Sequence, residues 1–524
     1  ATSGSRRGAL AALLGATMFG HAADPLLAGG KRGRGKRKRK GKGKVLVCLS
    51  GETQQVSPSA VRGVLLAGGT RGARGGGGGG GPGLGGGGRV LGGGPPAPTA
   101  TSTAAATRAA RTGPPPAVTT RRIIPLTPAT SPTRTLPLPE RPQLEAPPPL
   151  SVYVHFPWCV KKCPYCDFNS HAPREGGIPE QAWLAAVLAD LQHALPQVWG
   201  RRVHSVFIGG GTPSLMSAQT LDGLLTGIRM LLPLDPLAEI TLEANPGTVE
   251  AGRFRDYRAA GVNRLSLGIQ SFDDAMLTKI GRIHGGDEAR RAIEAARGHF
   301  ERVNLDLMYA LPGQTLDMAL ADLETAIGFG VQHLSCYHLT LEPNTPFAHD
   351  PPPLPDDDIA ADMQEAIEAR LAAAGFAHYE TSAFARPHEQ SRHNLNYWTF
   401  GDYLGLGPGA HGKLSSHEGI RREMRHKHPG RYLEGAARGD FIQEAREVSV
   451  AELPFEFMMN ALRLTEGVPA KLFAARTGVP LEAITDELAQ ARERGLLETA
   501  EGQLRPTLRG RRFLNELLQV FLRD

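Results

Sequence analysis

The pattern of apolar and polar positions changes near residue 150 and is regular from there onward. Short runs rich in β-branched and aromatic residues alternate with longer stretches of helical periodicity, such as 181–195 and 215–231. The predicted strands are 152–156, 203–208, 239–243, 264–269, 303–309 and 333–339. Strands separated by helices predict right-handed βαβ units and a parallel sheet.

Six strand–helix units are fewer than the eight that close a TIM barrel. The pattern therefore predicts an α/β fold with an open, TIM-like partial (βα)6 barrel, in which chemistry belongs at the carboxyl ends of the strands. Beyond about residue 452 the pattern becomes helical, with a short wing-like turn before the last helix. The helices predicted there are 455–464, 470–476, 481–494 and 508–522. We expect a small helical, winged-helix-like C-terminal domain.

Residues 1–149 show no such periodicity and read as a disordered, low-complexity tail. Residues 1–139 contain 21 Lys or Arg and two acidic residues, a net charge of +19, so 140–524 carry −12. The basic balance of the chain belongs to this tail, and we therefore expect no nucleic-acid partner. The tail is interpreted either as a targeting segment, which would permit organellar import, or as an artefact of the gene model.

The cysteine pattern and the hydropathy bear on the cellular compartment of the protein. No segment has the roughly 20 apolar residues of a membrane span. Three of the five cysteines lie within eight residues, which is unlike a disulfide framework and suits a reducing compartment. We predict a cytoplasmic protein, and peripheral docking on a membrane is left open.

The clustered cysteines, Cys159, Cys163 and Cys166, follow the first predicted strand with the spacing CxxxCxxC. Three thiolates can hold three irons of a four-iron cluster and leave the fourth iron open, whereas a closed electron-transfer cluster has four Cys ligands. The alternative is zinc, whose fourth ligand would have to come from elsewhere, such as His155 or His171. Both metal sites stay open on the residues alone.

Small and polar residues follow the predicted strands where barrel chemistry is expected. Glycines at a strand end let a ligand approach closely, and carboxylate or amide oxygens can accept hydrogen bonds from an amino group or ribose hydroxyls. Each residue alone is explained as well by a structural cap, but their recurrence at successive strand ends favours a ligand site. The residues are Gly210, Gly211, Thr212, Glu243, Gln270 and Asp306.

Several separate motifs share one resemblance. The segment Tyr153–Phe168, GGGTP at 209–213, LGIQSF at 267–272, GRIH at 281–284 and DLMYALPG at 306–313 resemble radical S-adenosylmethionine (SAM) proteins of the oxygen-independent coproporphyrinogen III oxidase group. The resemblance implies that Cys159, Cys163 and Cys166 ligate a [4Fe–4S] cluster. It also implies SAM contacts from Tyr153, Gly210, Gly211, Thr212, Glu243, Gln270, Arg282 and Asp306.

Two features separate the chain from the oxidases of this group. The oxidases have the form CxxxCxxCxC, whereas this chain carries Phe168 at the last position, as the heme chaperones of the group do. Further on, His393, Asn394, Tyr397 and Trp398 match the HNxxYW motif that the resemblance associates with heme handling. An imidazole can ligate iron and aromatic rings offer flat faces to a porphyrin, although buried structural roles account for the same residues.

The resemblance divides the chain into a radical SAM core at 150–385, a linking region with the HNxxYW motif at 386–450 and a HemN-type C-terminal domain at 451–524. It implies a heme chaperone that binds heme and delivers it to apo-hemoproteins such as respiratory enzymes. It also implies an electron donor for the cluster. Whether the protein is a homodimer is left open. The first alternative is an oxygen-independent coproporphyrinogen III oxidase, and the second is a zinc-bound, non-catalytic scaffold. No residue is assigned a catalytic role.

Overall fold

A computed structural model describes residues 136–248 and 251–523, together with the backbone of three short strands nearer the N terminus. Those strands, Val45–Leu49, Glu52–Val56 and Thr70–Arg71, form a small antiparallel sheet with Val45–Leu49 in the centre. The predicted targeting segment and most of the predicted disordered tail lie outside the described residues. The described residues from 136 onward belong to one compact unit.

Six parallel strands, paired in chain order, form the predicted partial barrel. They are β1 (Leu150–Phe156), β2 (Val203–Gly210), β3 (Leu234–Ala244), β4 (Arg264–Gln270), β5 (Arg302–Tyr309) and β6 (His333–His338). The helices between them are α1 (Glu180–Val198), α2 (Ala218–Leu231), α3 (Ala251–Ala260), α4 (Asp274–Lys279), α5 (Gly286–Arg297) and α6 (Leu316–Gly328). All six strands predicted from the sequence are confirmed.

The same sheet continues past both ends of the barrel to twelve strands. The hairpin of β7 (Ala377–Glu380) and β8 (Ala383–Ala385) extends it beyond β6, and β9 (Asp402–Leu406) lies parallel to β1. Three antiparallel strands follow, β10 (His411–Ser415), β11 (Ile420–Arg425) and β12 (Ile442–Glu447). The helices of this region are α7 (Pro346–His349), α8 (Asp357–Ala373), α9 (Arg392–Trp398) and α10 (Pro429–Ala436).

These added strands have no apolar run that would reveal them in the sequence. Strand β11 reads IRREMR and β12 reads IQEARE, so half or more of each is charged. Strand β12 is the edge of the sheet, and its residues alternate between half-buried and exposed. The other edge strand, β7, has four residues and a register irregularity between His378 and Glu380.

The C-terminal region is helical, as predicted, and contains a small wing. Its helices are α11 (Leu453–Ala461), α12 (Lys471–Thr477), α13 (Thr485–Glu493), α14 (Leu508–Arg512) and α15 (Leu514–Gln519). The wing pairs β13 (Val468–Pro469) with β14 (Gln503–Leu504). The single helix predicted over 508–522 is two helices, because the backbone at Phe513 leaves the helical region with φ −118° and ψ 43°.

The last part of the predicted disordered tail, residues 136–149, is ordered against the C-terminal region. Gln143 donates its backbone N–H to the Gly478 carbonyl at 2.9 Å, and Leu138 and Leu144 pack on the apolar core of that region. The prediction of disorder is wrong for this segment. Its Pro-rich sequence has no periodicity of its own, and its order depends on a surface formed more than 300 residues later in the chain.

Two large apolar cores and several smaller clusters stabilise the described part of this unit. One lies between the sheet and the helices around the barrel, and the other fills the C-terminal region and includes Tyr397, Trp398, Phe400 and Tyr403. Helix α9 and the first residues of β9 therefore join the barrel to the C-terminal region. Over the part of the chain that the structure describes, no helix is both long and apolar enough to span a membrane.

A buried ion pair attaches the sheet extension to the barrel. Asp190 of α1 accepts hydrogen bonds from the Arg425 guanidinium of β11 at 3.1–3.2 Å and from the Tyr432 hydroxyl at 2.8 Å. Arg425 also donates to Glu423 at 2.7 Å, and these charged side chains are at most 3% exposed. Buried charges of this kind are stable only while each has its partner.

We expect Arg425→Met to lower the free energy of unfolding by about 3–5 kcal/mol, because it leaves the buried Asp190 carboxylate without its cation. Glu423 loses one of its two arginine partners and keeps Arg421 at 3.0 Å. Urea denaturation of the purified protein measures the change. The control is Arg431→Met, which removes an exposed pair with Asp440 and is expected to cost less than about 1 kcal/mol. Equal costs for the two variants would contradict a structural role of the buried pair.

Candidate functional site

The three clustered cysteines lie on a loop that leaves β1 and closes on itself. The Cys159 N–H donates to the His171 carbonyl at 3.0 Å, and the His171 N–H donates to the Pro157 carbonyl at 2.7 Å. Cys159, Cys163 and Cys166 are all partly exposed free thiols. Among the described residues, no group of three or more His, Cys, Asp or Glu side chains is arranged to hold a single metal ion.

Two of the thiols each accept a hydrogen bond from a residue outside the cysteine loop. The Thr212 hydroxyl donates to Cys159 Sγ at 3.3 Å, and Arg282 Nη1 donates to Cys163 Sγ at 3.7 Å. Burial raises the pKa of the Cys166 thiol to about 12, so iron has to displace a proton when it binds there. Hydrogen bonds to ligand sulfur tune the potential of an iron–sulfur cluster, and these two donors are placed for that role.

The glycines after β2 position the cysteine loop by close packing. Gly211 donates its N–H to the Phe156 carbonyl at 2.8 Å, and Thr212 donates its N–H to the Trp158 carbonyl at 2.7 Å. A Cβ on Gly211 would lie 2.5 Å from the Trp158 oxygen, so only glycine fits. The Gly210 N–H is donated to Glu243 Oε2 at 3.1 Å. These three amides are therefore donated within the protein, and contact of Gly210, Gly211 and Thr212 with SAM stays a prediction.

The loop and the strand ends enclose one cleft of about 1000 Å³, including its open mouth. This size is within the range of small-molecule and cofactor sites. The cleft brings together all but one of the residues predicted for the cluster and SAM. Those that line it are Cys159, Cys163, Cys166, Gly210, Gly211, Thr212, Glu243, Gln270, Arg282 and Asp306, and Phe168 lines it as well.

Tyr153 is the exception, because it is not among the residues that line the cleft. Its side chain is 5% exposed and stacks on Phe207, with ring centroids 6.2 Å apart. Its hydroxyl is hydrogen-bonded to His155 Nδ1 at 3.0 Å. The structure thus places Tyr153 inside the barrel, next to a histidine that supports the cysteine loop, and its contact with SAM stays a prediction.

Glu243 is the strongest indication of a ligand in the cleft. Its Oε1 atom is enclosed and has no hydrogen-bond partner, although a carboxylate oxygen normally accepts at least one. Burial, together with the charge of Asp306, raises the pKa of Glu243 to about 8. A bound amino group would supply both the missing donor and a compensating positive charge.

Asp306 lies in the cleft wall, and its orientation is fixed. It is 2% exposed and accepts hydrogen bonds from Ser266 Oγ at 3.0 Å and Asn304 Nδ2 at 2.8 Å. Burial raises the pKa of Asp306, and the two hydrogen bonds act in the opposite direction. The carboxyl group can therefore accept further hydrogen bonds from a ligand without rotating.

Two further cleft residues have unusual features: Gln270 has a strained backbone, and Arg282 has a hydrogen-bond donor without a partner. Gln270 ends β4 beside a register irregularity, with a left-handed φ of 69° that non-glycine residues rarely adopt. Arg282 donates Nη2 to the Gly268 carbonyl at 2.6 Å, while its Nε is enclosed without a partner. A ligand with amino, carboxylate and hydroxyl groups, such as SAM, fits these unsatisfied acceptors and donors.

Sequence reasoning did not assign several cleft residues as ligand contacts. Asn245, Met308 and Leu339 line the cleft two residues after Glu243, Asp306 and Tyr337. Side chains two apart on a strand share a face, so this period of two is the signal that finds them. Glu342 and Tyr165 also line the cleft. The pKa of Glu342 is raised to about 7 by its burial and by Asp167.

The HNxxYW motif lies at the opposite end of the barrel. It forms α9, whose backbone N–H groups at Arg392 and His393 donate to the carboxylate of Glu239 at 3.1 Å. Glu239 pairs in register with Ser205 near the start of β2, whereas Gly210 ends that strand at the cleft. Five residues of strand separate these levels by roughly 16 Å.

The side chains of the motif are packed in the interior. His393 is 8% exposed, its Nδ1 is hydrogen-bonded to Ser205 Oγ at 3.0 Å, and its ring lies 5.0 Å from that of Phe207. Tyr397 and Trp398 belong to the core of the C-terminal region, where the Arg463 guanidinium lies 4.6 Å from the Trp398 ring. The structure does not bring this motif to the cleft, so heme contact there stays a prediction.

Two protein-family models match the chain. Residues 153–326 match the radical SAM superfamily, and residues 448–513 match the HemN C-terminal domain. A coproporphyrinogen III oxidase from Escherichia coli, described as a radical SAM enzyme, superposes with a TM-score of 0.61. The two are 22% identical, and the match covers 72% of this chain and 90% of that one, which shows a common fold.

Curated proteins match the chain more specifically. It is 49% identical to the heme chaperone HemW of Escherichia coli over 379 residues, which cover 72% of this chain and 99% of the relative. It is 35% identical to the heme chaperone HemW of Bacillus subtilis over 385 residues, which cover 71% of this chain and 99% of that relative. With identity at this level over nearly the whole length of these relatives, the chain belongs to the HemW family of radical SAM proteins.

Proposed function

We propose that the protein is a radical SAM-type heme chaperone, which binds heme and delivers it to apo-hemoproteins such as respiratory enzymes. The observation that carries this proposal is the 49% identity to a HemW heme chaperone over 99% of its length. Phe168 supports the proposal. It lines the cleft at the position where the oxidases of the group have a further Cys. The reading as a zinc scaffold has no such support.

We propose that Cys159, Cys163 and Cys166 hold a [4Fe–4S] cluster and that SAM binds at its open iron. When bound, these groups supply one-electron reduction of the sulfonium, for which the cell has to provide an electron donor. The chain contributes orientation. Glu243 accepts from the amino group of SAM, while Arg282 and Thr212 donate to ligand sulfurs and fix the cysteine loop.

For heme we propose the HNxxYW helix, with His393, Asn394, Tyr397 and Trp398 as the contacting residues. The imidazole is a suitable iron ligand, and the two aromatic rings match a porphyrin face. His393 is hydrogen-bonded to Ser205 and covered by the barrel, so ligation has to follow an opening of α9. The protein would then take up heme through a minor, opened state.

The role of Glu243 is tested by Glu243→Gln, which keeps the shape and removes the ionisable carboxyl. We expect SAM to bind about 10–100-fold more weakly, since a hydrogen bond to a charged group is lost. The measurement is equilibrium dialysis of SAM with the anaerobically reconstituted protein. Glu294→Gln, at an exposed position of α5, is the control. Unchanged affinity in Glu243→Gln would remove Glu243 from the SAM site.

The same substitution has a consequence for the stability of the ligand-free protein. The folded pKa of Glu243, about 8, lies above its unfolded value, so its contribution is full at low pH and is lost as the pH rises towards 8. We therefore expect the stability of Glu243→Gln relative to wild type to increase between pH 5 and pH 8. Thermal denaturation at the two pH values measures this, and a constant difference would contradict a raised pKa.

The heme site is tested by titrating heme into the full, reconstituted chain and recording the Soret band. We expect His393→Ala to weaken heme binding at least about tenfold, because an iron ligand is lost. His299→Ala, an exposed histidine at the end of α5, serves as the matched control. Far-UV circular dichroism distinguishes loss of binding from loss of the fold. Equal heme affinity in the two variants would exclude His393 as a ligand.

The oxidase alternative and the zinc alternative are tested on the same preparation. We expect about four irons per chain in the wild type and a large loss in Cys163→Ala, together with no useful formation of protoporphyrinogen from coproporphyrinogen, reduced cluster and SAM. An oxidase of the group assayed in parallel is the positive control. Rapid protoporphyrinogen formation would contradict a chaperone without oxidase activity, and zinc in place of iron would contradict the cluster.

A further inference from the structure

The interior of the barrel contains a buried chain of polar side chains that none of the roles above uses. It begins at Asp306 in the cleft wall and continues through Asn304, His333 and Tyr379 to Ser391, the residue before α9. All five residues are at most 7% exposed. Buried polar side chains are normally hydrogen-bonded. The order of the hydrogen bonds in this series shows which parts of the barrel they connect.

Asn304 fixes the direction of this chain. Its Nδ2 donates to Asp306 Oδ1 and to Ser266 Oγ, both at 2.8 Å. Its Oδ1 accepts from Ser335 Oγ at 3.0 Å and contacts His333 Nδ1 at 2.6 Å. Because an amide oxygen only accepts, His333 must carry its proton on Nδ1. The amide is then fully hydrogen-bonded in one orientation.

The His333 tautomer also determines the direction of the remaining hydrogen bonds in the series. With the proton on Nδ1, His333 Nε2 accepts from the Tyr379 hydroxyl at 2.9 Å. The Tyr379 oxygen in turn accepts the Ser391 backbone N–H at 3.4 Å. Burial lowers the pKa of His333 well below its usual value, which is consistent with a neutral ring. All donors point the same way, from Ser391 towards Asp306.

The far end of the chain is the start of the HNxxYW helix. Ser391 caps α9, since its hydroxyl accepts the Asn394 N–H at 3.3 Å. The same hydroxyl donates to Glu239 Oε1 at 3.3 Å, and the His393 N–H shares that oxygen. A displacement of Ser391 therefore disturbs both the cap of α9 and the carboxylate that holds its first turn.

We propose that His333 and Tyr379 form a hydrogen-bond relay that positions Asp306 for its ligand in the cleft and couples that ligand to the start of α9. Binding in the cleft and binding at the HNxxYW helix then depend on each other, although the two sites lie at opposite ends of the barrel. The link between the cleft and α9 rests on the proposed binding of SAM in the cleft, and the heme half rests in addition on the proposed heme site.

The coupling has a physical basis in the shared donors. A ligand hydrogen-bonded to Asp306 changes how strongly that carboxylate accepts from Asn304, and a chain of aligned hydrogen bonds transmits the change because each bond polarises the next. Any such coupling is reciprocal, so the factor by which SAM changes heme affinity equals the factor by which heme changes SAM affinity. His333 and Tyr379 act as positioning residues and touch neither ligand.

The test uses Tyr379→Phe, which removes one hydroxyl from the relay and keeps the ring. The full chain is reconstituted anaerobically and studied without reductant, so that SAM binds but is not cleaved. Hydrogen–deuterium exchange at the amides of Arg392, His393 and Asn394 is measured with and without SAM. We expect SAM to change exchange at these amides in the wild type and to leave it unchanged in Tyr379→Phe.

A matched control separates the relay from general effects of losing a buried hydroxyl. Tyr432→Phe removes a fully buried hydroxyl that donates to Asp190 and lies outside the relay. The control is expected to show the same response of α9 to SAM as the wild type. A response that survives in Tyr379→Phe, or is absent from the wild type although SAM binds, would overturn the relay.

Heme titration with and without SAM completes the experiment. We expect a coupling of at least about fivefold in the wild type, within the usual range for linked sites, and less than about twofold in Tyr379→Phe. Heme that binds equally well with and without SAM would overturn the coupling while leaving the chaperone function intact. A chain that binds no heme but whose α9 still responds to SAM through Tyr379 would overturn the heme site and leave the relay standing.

Discussion

Two backbone hydrogen bonds between the end of β2 and the cysteine loop determine the geometry of the site. They join Gly211 to Phe156 and Thr212 to Trp158, at a contact too close for any side chain at residue 211. The contact places the Thr212 hydroxyl on Cys159 and brings the Gly210 amide to Glu243. The position of Cys159, a proposed cluster ligand, and the position of the carboxyl proposed to bind SAM thus depend on the same short turn.

The interior of the open barrel contains hydrogen-bonded polar side chains, and these connect its two ends. At the cleft end, burial raises the pKa values of Glu243 and Asp306, and the charge of Asp306 adds to the rise at Glu243. At the opposite end, burial alone would raise the pKa of Glu239, but Arg264 and Arg302 outweigh it and lower that pKa, which keeps a negative charge at the start of α9. Between the ends, Asn304, His333 and Tyr379 are joined by hydrogen bonds. These bonds link Asp306 at the cleft end to the residues at the start of α9.

Features encoded by short segments could be predicted from the sequence, and features made by distant segments could not. The cysteine loop, the six strands and the residues at strand ends follow from local pattern and from the rule for barrels. The order of residues 136–149, the charged strands β11 and β12 and the burial of His393 each depend on partners far along the chain. Tyr153 shows the same limit, since its motif position gave no information about its contact with His155.

The two edges of the twelve-stranded sheet affect how the protein can meet other molecules. An open edge offers unpaired backbone groups to any extended chain and is a common starting point for aggregation. Here one edge, β7, is four residues long and irregular, while the other, β12, carries Glu444, Arg446 and Glu447. Neither edge is a good template for an added strand. A partner protein with exposed backbone therefore has to be recognised through side-chain surfaces and not by an added strand.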